Sequence, residues 1–432
     1  MNTSRRPESD LAPPTRRSGE ASQPKGSVWF LESEEPRLVF FTRLLAISVL
    51  LCLAFSWKLW ISRPFYPLVP FWEIVPAFPH PFDEFFRAWL VAVLLAVAIR
   101  PRSKIWIALV MVTFAILFLQ DQNRLWPSFY QFFFLLLILV TIRNHAGKSD
   151  APRLLAGIRF ITAAIYFWSG VQKLNTHFFN EEFPSIVQPL TDLLPFEISF
   201  LPTAGIFAAL FEVFIGVGLL TKRFRNIALY EAMLMHLVIF FCIGPFRDNW
   251  NNSAWMWGLA VAAQTWVLFF KAPAFDFKTM FAAPWFCNIP QALAVVLIGI
   301  MPVLNNVNRW DSALSFNVYT GNVNYAEIVM RPDVVDQLPK ELVPFVSVYP
   351  NVHMAVLNLN AWTAKEFNAN PYPEKRIFRA VLRAVCGYLP EGSAWLYFRE
   401  KSSWFSPQAA ERYDCEKNSC GKIITVHRPP ET

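Results

Sequence analysis

Nine apolar runs constrain the fold of this chain more than any other feature of its sequence. Most of them approach the length of about 20 residues that an α-helix needs to cross a bilayer. Charged residues make up only 16% of the 432 residues, against about 25% in soluble domains, so the composition is that of a membrane protein. The runs also exclude a disordered chain and, despite a net charge of +7, a nucleic-acid-binding protein. They cover residues 38–60, 84–99, 105–120, 126–142, 153–175, 202–220, 226–244, 253–270 and 290–304.

Charges in the loops between these runs predict how the bundle lies in the membrane. With the N-terminus in the cytoplasm, the cytoplasmic loops carry clusters of Lys and Arg, whereas most outer loops carry a single basic residue. This alternation follows the positive-inside rule. We therefore predict an all-α polytopic membrane bundle of about nine transmembrane helices in residues 38–305. Because the number of spans is odd, the chain after residue 305 is expected outside the cytoplasm.

The two ends of the chain differ from this apolar region. Residues 1–37 are rich in Ser, Pro and Arg, and predict a disordered cytoplasmic tail without a signal peptide. Residues 306–432 predict a small β-rich extracytoplasmic domain with one amphipathic helix, Glu374–Cys386. The strands predicted for this domain are Leu314–Tyr319, Val343–Tyr349, Val352–Leu359, Ala394–Arg399 and Lys422–His427.

The cysteines predict a disulfide and no metal site. Cys415 and Cys420 are close enough in sequence to form a small disulfide loop, which an oxidising compartment permits. Two free thiols are the alternative. Cys52, Cys242 and Cys287 lie in or beside the spans, where cysteine is expected to serve as a packing residue. The sequence has no Cys/His spacing typical of a metal site and no glycine-rich phosphate loop.

Ionisable side chains within the spans indicate a candidate site, because such groups normally face a cavity or a partner. Lys173 ends the fifth span, whereas Glu212 and His236 lie near mid-depth in the next two. We expect these three to form a catalytic group in which Lys173, freed of solvent, works as a base. The residues predicted to bind substrate in the same outward-facing cavity are Asn123, Arg124, Ser169, Asn175, Asn249 and Asn251.

Each of these features also has a structural interpretation. The Lys173 amine can extend to the outer lipid headgroups. Glu212 and His236 can form an interhelical hydrogen bond that only stabilises packing. The turn Asp121–Arg124 can be a capped loop with balanced charges. The location of all of them toward one side of the membrane favours a site.

The run YFWSGVQKLNTHFF, from Tyr166 to Phe179, resembles a motif of the vitamin K-dependent gamma-carboxylase family. The membrane part of that family is the horizontally transferred transmembrane (HTTM) domain, which is distantly similar to DoxX-like proteins. The resemblance implies this fold for about residues 40–305 and a base at Lys173. Gln172 occupies the first position of the family's lysine pair, so carboxylation of glutamate is implied less directly than the fold.

Two functional hypotheses remain open. The first is a membrane enzyme that acts on a quinone-type or other lipid-like substrate with Lys173 as base. The second is a non-catalytic protein for binding, transport or envelope assembly. The residues identify no cofactor, although the resemblance is compatible with a quinone. Membrane lipids and an envelope protein are the expected partners, nucleic acid is not, and the short loops favour a bacterial inner membrane with a periplasmic C-terminus.

Overall fold

The computed structural model describes residues 31, 33–72, 74–76, 78, 81–143, 149–196, 199–246, 252–404, 408–415 and 424–425. The predicted tail ends within a helix, because α1 already begins at Glu34; residues 1–30 lie outside the described residues. The described helices are α1 (Glu34–Phe55), α2 (Phe82–Ile99), α3 (Lys104–Gln120), α4 (Pro127–Leu139), α5 (Ala151–Gln172), α6 (Phe183–Thr191), α7 (Leu201–Leu220), α8 (Arg225–Ile243), α9 (Asn252–Phe269), α10 (Phe277–Met280), α11 (Trp285–Ala294), α12 (Leu359–Phe367) and α13 (Lys375–Cys386).

Among the described residues, five helical segments are long and apolar enough to cross a membrane. They are α1, α5, α7, α8 and the stretch Trp285–Val307, in which α11 continues through a π-helical and a 3₁₀ turn. The other four predicted runs form α2, α3, α4 and α9, which have 18, 17, 13 and 18 residues. The structure thus supports a membrane protein, and a count of nine spans stays a prediction.

Helix α5 lies at the centre of the bundle and packs against α7 through two glycines. A Cβ atom on Gly170 would lie 2.5 Å from the backbone nitrogen of Val213, and one on Gly216 would lie 2.6 Å from that of Phe167. Small residues at such a crossing let two backbones approach closely. This approach sets the separation of the side chains that α5 and α7 carry toward the end of the bundle that faces the C-terminal domain.

We expect Gly216→Ala to destabilise the bundle. Its new methyl group meets backbone atoms of α5 at 2.6 and 2.7 Å, and overpacking of this kind costs about 1–3 kcal/mol. Thermal unfolding in detergent measures the change. Gly258→Ala is the matched control, because its methyl group meets only the His236 ring at 3.5 Å. Equal stability of the two variants would contradict the close α5–α7 crossing.

Two buried arginines, one at the start of α1 and one in the first half of α5, bind the end of α9. Arg37 of α1 donates hydrogen bonds to the carbonyl oxygens of Val267, at 2.6 Å, and Phe270, at 2.9 Å. Arg159 of α5 donates to the carbonyl oxygen of Leu268 at 2.9 Å and pairs with Glu34 at 2.8 Å. The last carbonyl groups of a helix lack intrahelical partners. These two arginines satisfy those at the end of α9 and hold α1, α5 and α9 together.

The C-terminal domain, which we call the outer domain after its predicted side of the membrane, contains within the described residues a six-stranded antiparallel sheet with the strand order β2-β3-β1-β4-β5-β6. One face is covered by α13, whose apolar stripe includes Ile377, Val381 and Val385. The predicted helix Glu374–Cys386 is confirmed within one residue. The strands are β1 (Tyr325–Met330), β2 (Val346–Tyr349), β3 (Met354–Leu357), β4 (Ala394–Arg399), β5 (Ala410–Asp414) and β6 (Ile424–Thr425).

Some strand predictions are confirmed and others are wrong. Ala394–Arg399 is confirmed, and two other predicted strands form over shorter ranges, β2 and β3. The prediction for Leu314–Tyr319 is wrong: this segment contains a 3₁₀ turn and two residues with left-handed backbones, which cannot pair in a sheet. Of Lys422–His427, only β6 belongs to the described residues.

The predicted disulfide between Cys415 and Cys420 is wrong, because Cys415 pairs with Cys386 instead. The two Cα atoms are 5.6 Å apart across a sequence separation of 29 residues. Cys386 ends α13, and Cys415 follows β5. Packing of the helix on the sheet therefore brings together two cysteines that are distant in sequence. Cys420 lies outside the described residues.

Polar contacts at the start of α13 connect the outer domain to the bundle. Arg376 donates to the side-chain oxygen of Gln122, in the turn after α3, at 2.6 Å, and pairs with Asp311. Lys401 donates to the carbonyl oxygen of Asn305, at the end of the last apolar segment. These contacts help to hold the domain against the bundle.

We expect the stability of the folded protein to depend on pH through Glu374, which lies next to Arg376 at the start of α13. Burial and the charge of Asp311 raise the pKa of Glu374 from 4.5 to about 7, against opposing contributions from Arg376 and Lys401. The folded protein then binds a proton more tightly than the unfolded chain, so stability falls as pH rises from about 4.5 to 7. Glu374→Gln should remove this fall, as measured by unfolding across that pH range. An unchanged pH profile in the variant would contradict it.

Candidate functional site

Lys173 and Glu212 form an ion pair between α5 and α7. The Lys173 Nζ atom lies 2.6 Å from Glu212 Oε2 and 2.8 Å from Ser169 Oγ. The side chains are 14% and 9% exposed, so the pair is largely removed from solvent. Ser169 reaches Lys173 because residues four apart share a helix face. The Lys173 amine thus turns inward to a carboxylate.

A second polar group lies beside this pair and includes His236 of α8. The Tyr166 hydroxyl is 2.8 Å from His236 Nε2 and 3.0 Å from the hydroxyl of Thr265 in α9. His236 is 8% exposed, and its other ring nitrogen, Nδ1, is buried with no hydrogen-bond partner in the described part of the chain. Buried polar atoms of this kind normally find a partner, so Nδ1 is available to a bound molecule.

Both groups line one cavity, which we call the Lys173 cavity. Its volume is about 90 Å³, and since one water molecule needs ~10–15 Å³ on this measure, it can hold several waters or a small ring. The remaining wall is mainly apolar, as expected of a small-molecule site with a few placed polar groups. Its lining consists of Ile165, Tyr166, Ser169, Lys173, Glu212, Met235, His236, Ile239, Ile243, Ala254, Trp257, Gly258, Val261, Val318 and Tyr319.

One side of the cavity is lined by a segment from beyond the spans. Val318 and Tyr319 belong to residues 316–321, which we call the capping loop, and both line the cavity. Asn175, at the outer end of α5, donates to the carbonyl oxygen of Thr320 at 3.1 Å. This predicted binding residue therefore anchors the capping loop to α5 and is not among the residues that line the cavity.

The predicted binding residues Asn123 and Arg124 lie in a different environment. Both are fully or almost fully buried, and neither is among the residues described at the Lys173 cavity. Arg124 donates to the carbonyl oxygens of Leu59 and Leu117, each at 3.0 Å. The Asn123 amide donates to Asp121 at 2.8 Å. These contacts serve the turn itself.

Asp121 is the centre of that turn. Its carboxylate pairs with Arg63 at 2.5 Å and accepts hydrogen bonds from the backbone nitrogens of Asn123, at 3.1 Å, and Val69, at 3.3 Å. Asp121 is 0% exposed. The turn is thus the capped, charge-balanced structure that formed the alternative interpretation of this sequence.

Four of the nine predicted site residues are brought together, and three, Asn123, Arg124 and Asn175, are not among the residues that line the cavity. Lys173, Glu212, His236 and Ser169 share the cavity. Asn249 and Asn251 lie outside the described residues. Sequence reasoning missed Thr265 and Tyr319: a threonine within an apolar span gives little signal, and Tyr319 falls in a segment expected to be a strand.

No protein-family model, curated protein or solved structure matches this chain. Among the described residues, no group of three or more His, Cys, Asp and Glu side chains is placed to hold a metal ion. The arrangement itself therefore carries the functional argument. It combines a buried amine–carboxylate pair, a phenol–imidazole pair and an apolar wall, which together can accept, share and donate protons next to a small apolar molecule.

Proposed function

We propose that this integral membrane protein binds a lipid-like molecule of the quinone type in the Lys173 cavity and that Lys173 accepts a proton from it. The proposal agrees with the likeness of residues 166–179 to the motif of the vitamin K-dependent gamma-carboxylase and HTTM family. The observation that carries it is the 2.6 Å contact between Lys173 and Glu212 in the wall of this cavity.

The pairing supplies the chemistry that a base requires. Transfer of a proton from the Lys173 ammonium to the Glu212 carboxylate, which lies 2.6 Å away, leaves a neutral amine. The neutral amine then takes a proton from an acidic O–H group of the bound molecule. The resulting ammonium stabilises the oxygen anion that remains, and Glu212 holds the proton it received.

The second polar pair positions the same molecule. His236 Nδ1 has no hydrogen-bond partner among the residues that the structure describes, and the absence of a side chain at Gly258 leaves room beside it. An oxygen atom of the ligand placed there would complete the hydrogen bonding of the imidazole. Tyr166 and Thr265 then determine which ring nitrogen carries its proton.

The alternative is a non-catalytic bundle for binding, transport or assembly in which the ion pair only fixes packing. The close glycine crossing of α5 and α7 favours it, because Lys173 and Glu212 bridge the same two helices. For localisation, the five span-like helices are compatible with a membrane protein. We propose further that the membrane is a bacterial inner membrane and that the outer domain lies in the periplasm.

Replacement of Lys173 by Gln tests the proposal in cells that lack the natural gene copy. We expect a quinone or lipid species that changes on deletion to be restored by the wild type and by Lys222→Gln, an exposed-loop control. Lys173→Gln should reduce its formation about a hundredfold or more, the usual contribution of a general base. Full restoration by Lys173→Gln at normal protein levels would refute the catalytic role.

A further inference from the structure

The capping loop separates two cavities. Below it lies the Lys173 cavity, and Val318 and Tyr319 also line a second space of about 180 Å³ between the outer domain and the bundle. We call this space the outer cleft; its walls include Trp126, Glu182 and Asn324. The same two residues thus contribute to the walls of a cavity inside the bundle and of a cleft next to it.

The capping loop holds an unusual backbone. Phe316 and Tyr319 have φ angles of +56° and +53°, and Gly321 has +67°. The left-handed conformation costs a non-glycine residue about 1–2 kcal/mol. Hydrogen bonds at Thr320 hold the far end of the loop: Asn175 donates to its carbonyl oxygen at 3.1 Å, and its hydroxyl donates to Asn317. A strained backbone beside a binding cavity is typical of conformational gates.

The lining of the outer cleft is also acidic in character. Glu182 is the one carboxylate among the described residues that line it, and none of these residues is a lysine or arginine. Burial raises the pKa of Glu182, and the charge of Lys173 lowers it. Glu182 of the outer cleft therefore interacts electrostatically with Lys173 of the other cavity. A cleft lined by negative charge concentrates cations and repels anions.

We propose that the outer cleft is an aqueous entrance to the Lys173 cavity, that Tyr319 closes it, and that Glu182 makes it favour cationic and neutral polar molecules over anions. A lipid-like substrate would enter from the bilayer, whereas water, protons and a small polar co-substrate would pass this gate. Its use in catalysis rests on the proposed function, but the gate itself can be tested without any activity.

The test measures how fast water-soluble thiol reagents reach a cysteine inside the cavity. Ser169→Cys is the reporter, and Asn360→Cys, on an exposed residue of the outer cleft, is the control. The protein is held in lipid nanodiscs, so both sides are accessible, and the Cys386–Cys415 disulfide is kept. The background replaces four other cysteines: Cys52→Ala, Cys242→Ala, Cys287→Ala and Cys420→Ser.

We expect Tyr319→Gly to speed modification of the Ser169→Cys reporter about tenfold or more, as expected when an open state populated at ~10% or less becomes dominant. Glycine also relieves the left-handed backbone at this position. Tyr319→Phe, which keeps the ring, should leave the rate unchanged. Tyr319→Asn serves as a second opening variant, because asparagine tolerates this backbone.

Reagent charge tests the part that Glu182 plays. In the opened variant, a cationic methanethiosulfonate should react with the reporter about tenfold faster than an anionic one, and Glu182→Gln should abolish the difference. Unchanged reporter rates in both opening variants, with a reactive Asn360→Cys, would overturn the gate. An unreactive Asn360→Cys would overturn the aqueous cleft. Equal rates for both reagents would overturn the role of Glu182.

Discussion

Exchanging the two charges of the central ion pair, in the double variant Lys173→Glu and Glu212→Lys, is expected to leave the protein folded and inactive. The exchange restores an ion pair between α5 and α7, so packing that depends on the pair survives. It moves the amine to the other helix, away from the Ser169 hydroxyl that now lies 2.8 Å from it. We expect product formation to fall about a hundredfold or more, as for loss of a general base.

Two single variants complete this comparison. Lys173→Met and Glu212→Leu each leave one charge without its partner in a mainly apolar wall, which costs about 3–5 kcal/mol for a buried pair. Thermal unfolding should therefore rank both below the double variant. A double variant that folds and restores the lipid or quinone profile would show that the pair is structural, and the alternative of a non-catalytic bundle would then stand.

Replacing Asp121 by asparagine is expected to cause a large loss of stability. Asparagine has the same shape but no charge, so Arg63 loses its counterion in a site where the Asp121 side chain is fully buried. The breaking of a buried ion pair costs about 3–5 kcal/mol. Thermal or chemical unfolding in detergent measures this loss, together with the yield of folded protein.

Asp333→Asn is the control for that measurement. Asp333 also pairs with an arginine, Arg331, at 3.2 Å, but their side chains are 68% and 55% exposed. Exposed ion pairs contribute about 0–1 kcal/mol, so this variant should unfold close to the wild type. If Asp121→Asn also unfolded close to the wild type, the contacts of Asp121 would not be needed for stability. A binding role for Arg124 would then be favoured again.

Helix positions could be predicted well because hydrocarbon imposes one pattern on every span. A long apolar run has few alternatives to a helix in a membrane, and a helix forms at each of the nine runs among the described residues. The same rule identified Lys173, Glu212 and His236, since ionisable groups in spans face partners or cavities. Whether all nine helices cross the bilayer depends on tilt and depth, which apolar length alone does not determine.

The other predicted binding residues show where such reasoning ends. Asn123 and Arg124 were expected in the cavity because the topology places them at the same depth as Lys173. Depth does not fix the position around the bundle, and their hydrogen bonds go to the turn instead. The disulfide was wrong for a related reason: Cys386 and Cys415 meet only through the packing of α13 on the sheet.

The capping loop was the least predictable part of the site. Its apolar and aromatic residues alternate like a strand, yet Phe316 and Tyr319 adopt left-handed backbones that only the surrounding contacts can impose. Asn175 and Thr320 supply one of these contacts across more than a hundred residues of sequence. The position of the capping loop at the Lys173 cavity is therefore a property of the assembled molecule, which no local pattern reveals.

The most direct test of a lipid-like ligand beside Lys173 is mass spectrometry of the molecules extracted from the purified protein. We compare the wild type with Gly258→Leu, whose side chain would fill the space next to His236 Nδ1, and with Gly258→Ala, which adds one methyl group 3.5 Å from that atom. A quinone-type or other lipid-like species should copurify with the wild type and Gly258→Ala and be absent from Gly258→Leu. An identical extract from all three folded proteins would contradict binding in this cavity.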